Sequence, residues 1–250
     1  MYIVAIANSK GGTGKTTTAR QLAENLGTQH RVLLIDLDPQ ASLTKSFNFD
    51  QEPTYSSTHV LSGEKRIDNA ITNAHDNIDI LTADARLSTV ERALSESPSG
   101  QTKLRTALKV VANNYAYCII DTIGATSMLV FNALAAAHAV IVPTRPEGTD
   151  LETIVPFIKS TVEDANEAHH SGKQQIAILP TQYVDQSNHH KEALEALKGL
   201  GYKVLSPVGR SVKVSEAMFN KASLRDQDKG NQRTQEYEQI SREVVEWLTK

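Results

Sequence analysis

The stretch ANSKGGTGKTT, residues 7–17, joins an apolar run, YIVAIA at residues 2–7, to a segment with helical spacing at residues 14–27. A glycine-rich turn between a strand and a helix allows backbone N–H groups to approach phosphate oxygens. The pattern therefore predicts a phosphate-binding loop in which Lys15 reaches the β- and γ-phosphates of a nucleotide and the Thr16 hydroxyl binds Mg²⁺. The residues expected to contact the nucleotide here are Lys10, Gly11, Gly12, Thr13, Gly14, Lys15, Thr16 and Thr17.

The loop carries a second lysine, Lys10, and has Ser9 where the general phosphate-loop pattern has glycine. The form KGGTGKTT is the deviant Walker A motif, and in it the chain resembles the ParA/MinD family of ATPases. The resemblance implies that two monomers enclose two ATP molecules and that Lys10 reaches the active site of the second subunit. A cationic group at the phosphates stabilises the charge that develops in phosphoryl transfer, so a lysine supplied by a partner makes hydrolysis depend on dimerisation. The alternative is a solvated loop lysine.

Two further segments end apolar strands with aspartate. RVLLIDLDPQAS, residues 31–42, places Asp36 and Asp38 on one face of a strand end, where two carboxylates repel each other unless a cation lies nearby. The resemblance implies that Asp38 positions the attacking water and that Asp36 lies near Mg²⁺ and its waters. YAYCIIDTIGA, residues 115–125, has the Walker B pattern, in which Asp121 holds Mg²⁺ through water. Many relatives have two prolines shortly after this aspartate, whereas here the small-residue sequence Thr122–Gly124 follows.

Short apolar runs alternate with helical patterns along the 250 residues. This alternation predicts an α/β fold of the P-loop NTPase type, in which a doubly wound, mainly parallel sheet carries helices on both faces and residues 1–250 form a single domain. The predicted strands are Tyr2–Ala7, Arg31–Asp36, Asn77–Thr82, Ala116–Asp121, His138–Pro143, Gln175–Pro180 and Lys203–Leu205. The predicted helices are Lys15–Gly27, Ala83–Ser95, residues 102–114, Ser127–Ala137, Thr149–His170, Ser187–Gly199 and residues 234–250.

Positive charge concentrates near the C-terminus. Residues 203–233 contain seven basic and three acidic residues, whereas the whole chain has a net charge of −3. A basic region with few aromatic residues favours contacts with DNA phosphates that are independent of sequence and sensitive to salt. The segment 206–231 resembles the C-terminal part of small partition ATPases, which implies non-specific DNA binding by the ATP dimer and places Tyr183 and Pro207 beside the adenine. The candidate DNA-binding residues are Arg210, Lys213, Lys221, Arg225 and Lys229; the alternative is a solvated charged face.

Other features limit the possible functions. There is no apolar run long enough to span a membrane, and the single cysteine, Cys118, cannot form an internal disulfide. We therefore expect a cytoplasmic protein. The chain starts at its first strand, so we expect no N-terminal helix-turn-helix domain.

The resemblance as a whole implies a ParA-type partition or positioning ATPase that uses ATP and Mg²⁺. It implies a homodimer with ATP, non-specific binding to nucleoid DNA, and stimulation by a ParB-like or cargo-adaptor protein. The cargo would be a plasmid, a chromosome or a protein body. One alternative is a MinD-like ATPase that cycles on membranes, although glutamates in the final helix disfavour stable membrane association. A metabolic ATPase or ligase on the same fold is another.

Overall fold

The computed structural model describes residues 1–169, 174–227 and 230–249, and within them eight strands form one sheet. The strands are Tyr2–Ile6 (β1), Val32–Leu37 (β2), Thr72–His75 (β3), Ile78–Leu81 (β4), Tyr117–Thr122 (β5), Ala139–Thr144 (β6), Gln175–Pro180 (β7) and Lys203–Val204 (β8). Their order across the sheet is β3-β4-β2-β5-β1-β6-β7-β8. Every neighbouring pair is parallel except β3 with β4, which confirms the predicted doubly wound, mainly parallel sheet.

Twelve α-helices are present in the same described residues. They are Lys15–Gly27 (α1), Ser42–Lys45 (α2), Ser57–Ser62 (α3), Leu87–Ser95 (α4), Lys103–Leu108 (α5), Met128–Ala136 (α6), Gly148–Phe157 (α7), Asp164–His169 (α8), Asn188–Lys198 (α9), Val212–Phe219 (α10), Leu224–Gln227 (α11) and Gln232–Leu248 (α12). None of these helices combines the length and hydrophobicity that crossing a membrane requires.

Helices cover both faces of the sheet, and the central strands are accordingly apolar throughout. β2, β5 and β6 are buried at every position, as expected for parallel strands packed on two sides. One core contains the buried faces of α1 and α12, and the other contains those of α4 to α7. The apolar face of α12, with Tyr237, Ile240 and Val244, is buried, so core packing accounts for its amphipathic pattern.

The sheet register places the predicted site at the edge formed by the carboxyl ends of the parallel strands. β1 lies between β5 and β6, and Asp36 at the end of β2 is paired in register with Asp121 at the end of β5. Because parallel strands end at the same edge, the loops after β1, β2, β5, β6 and β7 meet there. Ligands of open α/β sheets bind in this position.

The observed elements differ from the predictions in several places, and α10 and α11 lie where no helix was predicted. The single helix predicted for Thr149–His170 is divided by a π-helical segment, Ile158–Glu163, shortly after Pro156, which has no N–H to donate within the helix. His170 lies outside the described residues. The helix predicted for residues 102–114 ends at Leu108. Residues 39–76, which lie outside the predicted strands and helices, contain α2, α3 and the antiparallel edge strand β3.

Candidate functional site

The predicted phosphate-binding loop connects β1 to α1. Gly12 and Gly14 have φ values of +72° and +89°, a left-handed conformation that side chains disfavour. The buried Asn8 fixes the start of the loop, since its Nδ2 donates to the carbonyl of Pro143 at 2.8 Å and its Oδ1 accepts from the N–H of Lys10 at 3.0 Å. The loop is therefore held in shape by β6.

The end of β7 supports the other side of the loop. The hydroxyl of Thr181 donates to the Thr13 carbonyl at 2.8 Å, and Nε2 of Gln182 donates to the Gly12 carbonyl at 2.9 Å. Gln182 itself has a φ of +53°, which is uncommon for a residue with a side chain. Sequence reasoning missed both residues, because they lie some 170 positions from the loop and belong to no local motif.

Lys15 is only 7% exposed, and its Nζ donates to the carbonyl of Lys10 at 2.9 Å. Burial lowers the pKa of Lys15, while the charges of Asp121 and Asp38 act in the opposite direction. A Cβ atom at Gly124 would lie 3.0 Å from Nζ of Lys15 and 3.1 Å from the backbone of Gly11. The small-residue loop after β5 therefore makes room for the lysine and for the loop that carries it.

Asp121 is fully buried, and no donor in the described residues makes a hydrogen bond of good geometry to either carboxylate oxygen, although the Thr16 hydroxyl lies close. Burial raises its pKa well above the usual range, and the neighbouring Asp36 adds to this, whereas Thr16 and Lys15 lower the pKa. A buried carboxylate without a partner is costly unless a cation compensates it. Oxygen ligands of this kind suit Mg²⁺, so the pair Thr16 and Asp121 fits the predicted magnesium site.

Asp36 is also buried, but its oxygens are occupied within the chain. Oδ1 accepts from the N–H of Asp38 at 3.0 Å, and Oδ2 accepts from the N–H and the hydroxyl of Thr44 at 2.9 and 2.7 Å. Burial raises the pKa of Asp36 to about 6, although these hydrogen bonds lower it. Asp36 therefore shapes the turn from residue 38 to residue 44, and its predicted place near Mg²⁺ remains a prediction.

A cavity of about 360 Å³ lies over these groups. Its lining includes Lys15, Thr16, Asp38 and Gly124. Asp38 is half-buried, and its Oδ1 accepts from the N–H of Gln40 at 2.8 Å. The structure thus brings together the phosphate-loop lysine, the candidate magnesium residue Thr16 and the carboxylate predicted to position water.

A second cavity, of about 310 Å³, shares Gly14, Thr17 and Gln182 with the first. Its far wall is formed by Val208 and residues 209–212, with part of α10. Because they share these residues the two cavities adjoin, and together they are called the nucleotide groove, which extends from the phosphate loop to the C-terminal segment. Pro207 precedes this wall and is not part of the cavity lining, and its predicted contact with adenine remains a prediction.

The candidate DNA-binding residues lie in different places. Arg210 and Lys213 are exposed and line one open cavity of about 470 Å³ together with Arg233, which sequence analysis did not select. Lys221 is exposed after α10, whereas Arg225 lies 3.7 Å from Glu238 in a groove beside the end of α1. Lys229 lies outside the described residues.

The side chain of Lys10 contacts its own subunit. Its Nζ donates to the hydroxyl of Thr149 at 2.8 Å and forms an ion pair with Asp150, both in the first turn of α7. Sequence analysis predicted a role for Lys10 across a dimer and did not identify these partners.

Comparisons with known proteins agree with this geometry. A family model described as an AAA domain matches residues 1–176. The chromosome partitioning protein ParA of Caulobacter vibrioides is 34% identical over 254 residues, covering 98% of this chain and 94% of that protein. By contrast, the chain spans only 60% of the length of the Pseudomonas putida proteins that it also matches.

Two solved structures are similar over nearly the whole chain. A putative plasmid partition protein from Borrelia burgdorferi bound to AMPPNP has a TM-score of 0.85 and 26% identity, with coverage of 98% of this chain and 99% of that one. A cobyrinic acid a,c-diamide synthase from Mycobacterium smegmatis, with a bound ATP analogue and magnesium, has a TM-score of 0.86 and 25% identity, with coverage of 100% and 96%. The fold alone therefore does not distinguish a partition protein from a synthase.

Proposed function

Given that this chain belongs to the ParA/MinD family of ATPases, we propose that it is a ParA-type partition or positioning ATPase that hydrolyses ATP with Mg²⁺. The observation that carries the nucleotide chemistry is the buried Asp121, whose carboxylate accepts no hydrogen bond of good geometry within the described part of the chain although it lies near Thr16 and Lys15. A site with this charge distribution favours a divalent cation with a nucleotide phosphate. The relative with 34% identity over almost the whole chain supports partition as the process.

Each polar group in the groove has a proposed task. Lys15 leaves the Lys10 carbonyl to bind the β- and γ-phosphates, and the loop N–H groups bind the remaining phosphate oxygens. Thr16 and Asp121 would hold Mg²⁺, which neutralises charge on the transferred phosphoryl group when it is bound. Asp38 orients the attacking water, so Asp38→Ala should retain ATP binding while hydrolysis falls by about 100-fold or more. Unchanged hydrolysis in a phosphate-release assay would contradict this role.

We propose that Lys10 acts on the nucleotide of a second copy of the chain. A cation supplied by the partner stabilises charge that develops only during phosphoryl transfer, so hydrolysis requires the ATP-bound dimer. In this proposal a ParB-like or cargo-adaptor protein stimulates hydrolysis and so releases the dimer from nucleoid DNA.

In our proposal the dimer binds nucleoid DNA through contacts with the DNA phosphates. Residues 210–212 line both the nucleotide groove and the open basic cavity that contains Arg210 and Lys213. A nucleotide that rearranges this shared wall also rearranges the basic cavity. This juxtaposition supports DNA binding that depends on ATP, and in our proposal the protein is bound to the nucleoid only in its ATP state.

Fluorescence anisotropy with random-sequence duplex DNA tests the proposal. We expect binding in ATP but not in ADP, and an affinity that falls steeply as salt rises. Arg210→Ala should weaken binding, whereas Lys109→Ala, which removes an exposed lysine from another part of the surface, should not. Absence of binding in both nucleotides would contradict partition on DNA and favour a metabolic ATPase or ligase, an alternative with the fold of the Mycobacterium smegmatis synthase. The membrane alternative has less support, because α12 has its apolar face buried.

A further inference from the structure

Phe219, the last residue of α10, is 87% exposed, the highest fraction among the large apolar side chains of the described residues. A single exposed apolar residue is ordinary on a protein surface. Phe219 is unusual in its neighbours, because Asn220 and Lys221 follow it and both are exposed. An apolar ring, an amide and a cation therefore lie next to one another on the surface. We call Phe219, Asn220 and Lys221 the α10 tip.

The backbone of the α10 tip is fixed by the hydrogen bonds that end the helix. The N–H of Ala222 donates to the carbonyl of Ala217 at 3.0 Å, and the N–H of Lys221 donates to that of Met218 at 3.2 Å. These two bonds form a Schellman motif, whose left-handed residue is usually glycine. Here it is Lys221, with a φ of +54°, a conformation that a side chain disfavours. Strain of this kind is found most often where a side chain has a task.

α10 is attached to α1, the helix that begins at the phosphate loop. Ala217 is buried, and Nη1 of the buried Arg20 in α1 donates to Sδ of Met218 at 3.9 Å. Ser223, two residues after the α10 tip, donates its hydroxyl to Glu24 of α1 at 3.2 Å. Contacts with α1 therefore flank the α10 tip on both sides and fix its position relative to the nucleotide groove.

The charges near the α10 tip favour a polyanion as its partner. Arg210 and Lys213 are exposed in the same segment as Lys221, whereas Glu216 is the only acid of α10. Residues 203–233 contain seven basic and three acidic residues. A DNA backbone that contacts Lys221 would thus meet favourable charge along the segment that carries Phe219.

The apolar surface of α10 is too small for a bilayer or for a stable protein interface. Val212, which is 72% exposed, precedes Phe219 by seven residues, or about 10 Å along the helix, and the exposed Ser215 and Glu216 lie between them. Lipid insertion and protein association both require a broader apolar face. DNA requires only one ring, because proteins that bend DNA insert single apolar side chains between base steps.

We propose that Phe219 enters the minor groove of duplex DNA and partly unstacks one base step, while Lys221 binds a neighbouring phosphate. This inference rests on the proposed function, in which the ATP-bound protein binds DNA. Phosphate contacts alone do not require a kink, whereas an inserted ring kinks the duplex by about 20–90°. Base steps that unstack easily, such as TA, are preferred, so binding needs no defined sequence but depends on local deformability.

The first arm of the test measures affinity by fluorescence anisotropy, with random-sequence duplex DNA and a non-hydrolysable ATP analogue. Phe219→Ala should weaken binding about three- to tenfold and leave its salt dependence unchanged, because the ring makes no ionic contact. Lys221→Gln should instead lower the slope of log affinity against log salt by about one. Val110→Ala, which truncates a 48% exposed apolar residue outside the basic segment, is the matched control and should bind like wild type. Equal affinities of Phe219→Ala and wild type overturn the proposal.

The second arm tests insertion of the ring. A mismatched base pair lowers the cost of unstacking, so wild type should bind a duplex with one central mismatch about threefold more tightly than the matched duplex. Phe219→Ala should not distinguish the two duplexes, whereas Phe219→Leu should, since leucine can also be inserted between base steps. Energy transfer between dyes at the ends of a duplex of about 20 base pairs should rise on saturation with wild type but not with Phe219→Ala. A straight duplex in the wild-type complex overturns the proposal.

Other partners of the ring have different signatures. If Phe219→Ala prevents association of two copies, measured by light scattering with the ATP analogue, the ring contacts a second copy and the proposal is wrong. Sedimentation of wild type but not of Phe219→Ala with phosphatidylglycerol vesicles identifies a bilayer as the partner and also overturns it.

Failure of the proposed function is distinguishable from failure of this inference. If wild type binds no duplex in the presence of the ATP analogue, the proposed function fails and insertion of Phe219 fails with it. If wild type binds and Phe219→Ala binds equally well, only insertion of the ring is wrong. Circular dichroism establishes that each variant folds, which we expect because the side chain of Phe219 lies outside the core.

Discussion

The phosphate site and the basic C-terminal segment both depend on charge, but they differ in burial. Lys15 and Asp121 are almost wholly withdrawn from solvent, whereas Arg210, Lys213 and Lys221 are exposed. Buried charges interact strongly and must be compensated, while exposed charges are screened and contribute in small increments. Single substitutions in the phosphate site should therefore change ligand affinity greatly, whereas single substitutions in the basic segment should change it slightly.

Asp121→Asn should have the largest effect. It keeps the shape of the side chain but removes the charge that fits Mg²⁺, so the affinity for an ATP analogue with Mg²⁺ should fall by about 100-fold in calorimetric titrations. With EDTA in place of Mg²⁺, variant and wild type should bind the analogue equally weakly. A variant that retains Mg²⁺-dependent affinity would show that Asp121 holds no metal.

The same substitution should stabilise the nucleotide-free protein at neutral pH. The pKa values of Asp121 and Asp36 are raised above their unfolded values, so the folded state binds more protons than the unfolded state as both groups titrate. The stability associated with each group is present below its unfolded pKa and is lost as pH rises through its folded pKa. Wild-type Tm should therefore fall from about pH 4 upward, and Asp121→Asn should exceed wild type at pH 7.5 by about 3 °C. A lower Tm for the variant would contradict this linkage.

Gly124→Ala should have an intermediate effect. The added Cβ would meet the flexible end of Lys15 and, less avoidably, the Gly11 backbone at 3.1 Å, so the phosphate loop must shift. We expect ATP affinity to fall by about three- to tenfold. Gly148→Ala is the matched control, since nothing lies within 4 Å of its Cβ position. Similar losses in both variants would mean that the close approach at Gly124 is unimportant.

The fold was largely predictable because each central strand and its following helix are encoded locally. Seven of the eight strands followed from apolar runs, and β3 did not, because its residues alternate between exposed and half-buried positions in a polar sequence. The break in the helix predicted for Thr149–His170 was missed, although Pro156 was a signal for it, since proline cannot donate a helical hydrogen bond.

The phosphate loop was predictable for the same local reason, and its supporting contacts were not. Thr181, Gln182 and Asp150 reach the loop only because β1 lies beside β6, which in turn pairs with β7. Strand order is set by packing of the whole chain, so no short motif records these contacts. The basic segment shows the same limit, because composition identified its charge without separating Arg210 from Arg225.

The different positions of Arg210 and Arg225 give the smallest predicted effect. Arg210 faces the open basic cavity, whereas Arg225 lies near Glu238 on a different groove. If the open cavity receives DNA phosphates, Arg210→Ala should reduce the slope of log affinity against log salt by about one, with a loss of a few fold in affinity. Arg225→Ala should leave the slope unchanged, because its charge is already close to a carboxylate and away from the shared wall at residues 210–212. Equal reductions of the slope in the two variants would mean that the DNA-binding surface extends around α12. DNA binding would then not be linked to the nucleotide groove alone.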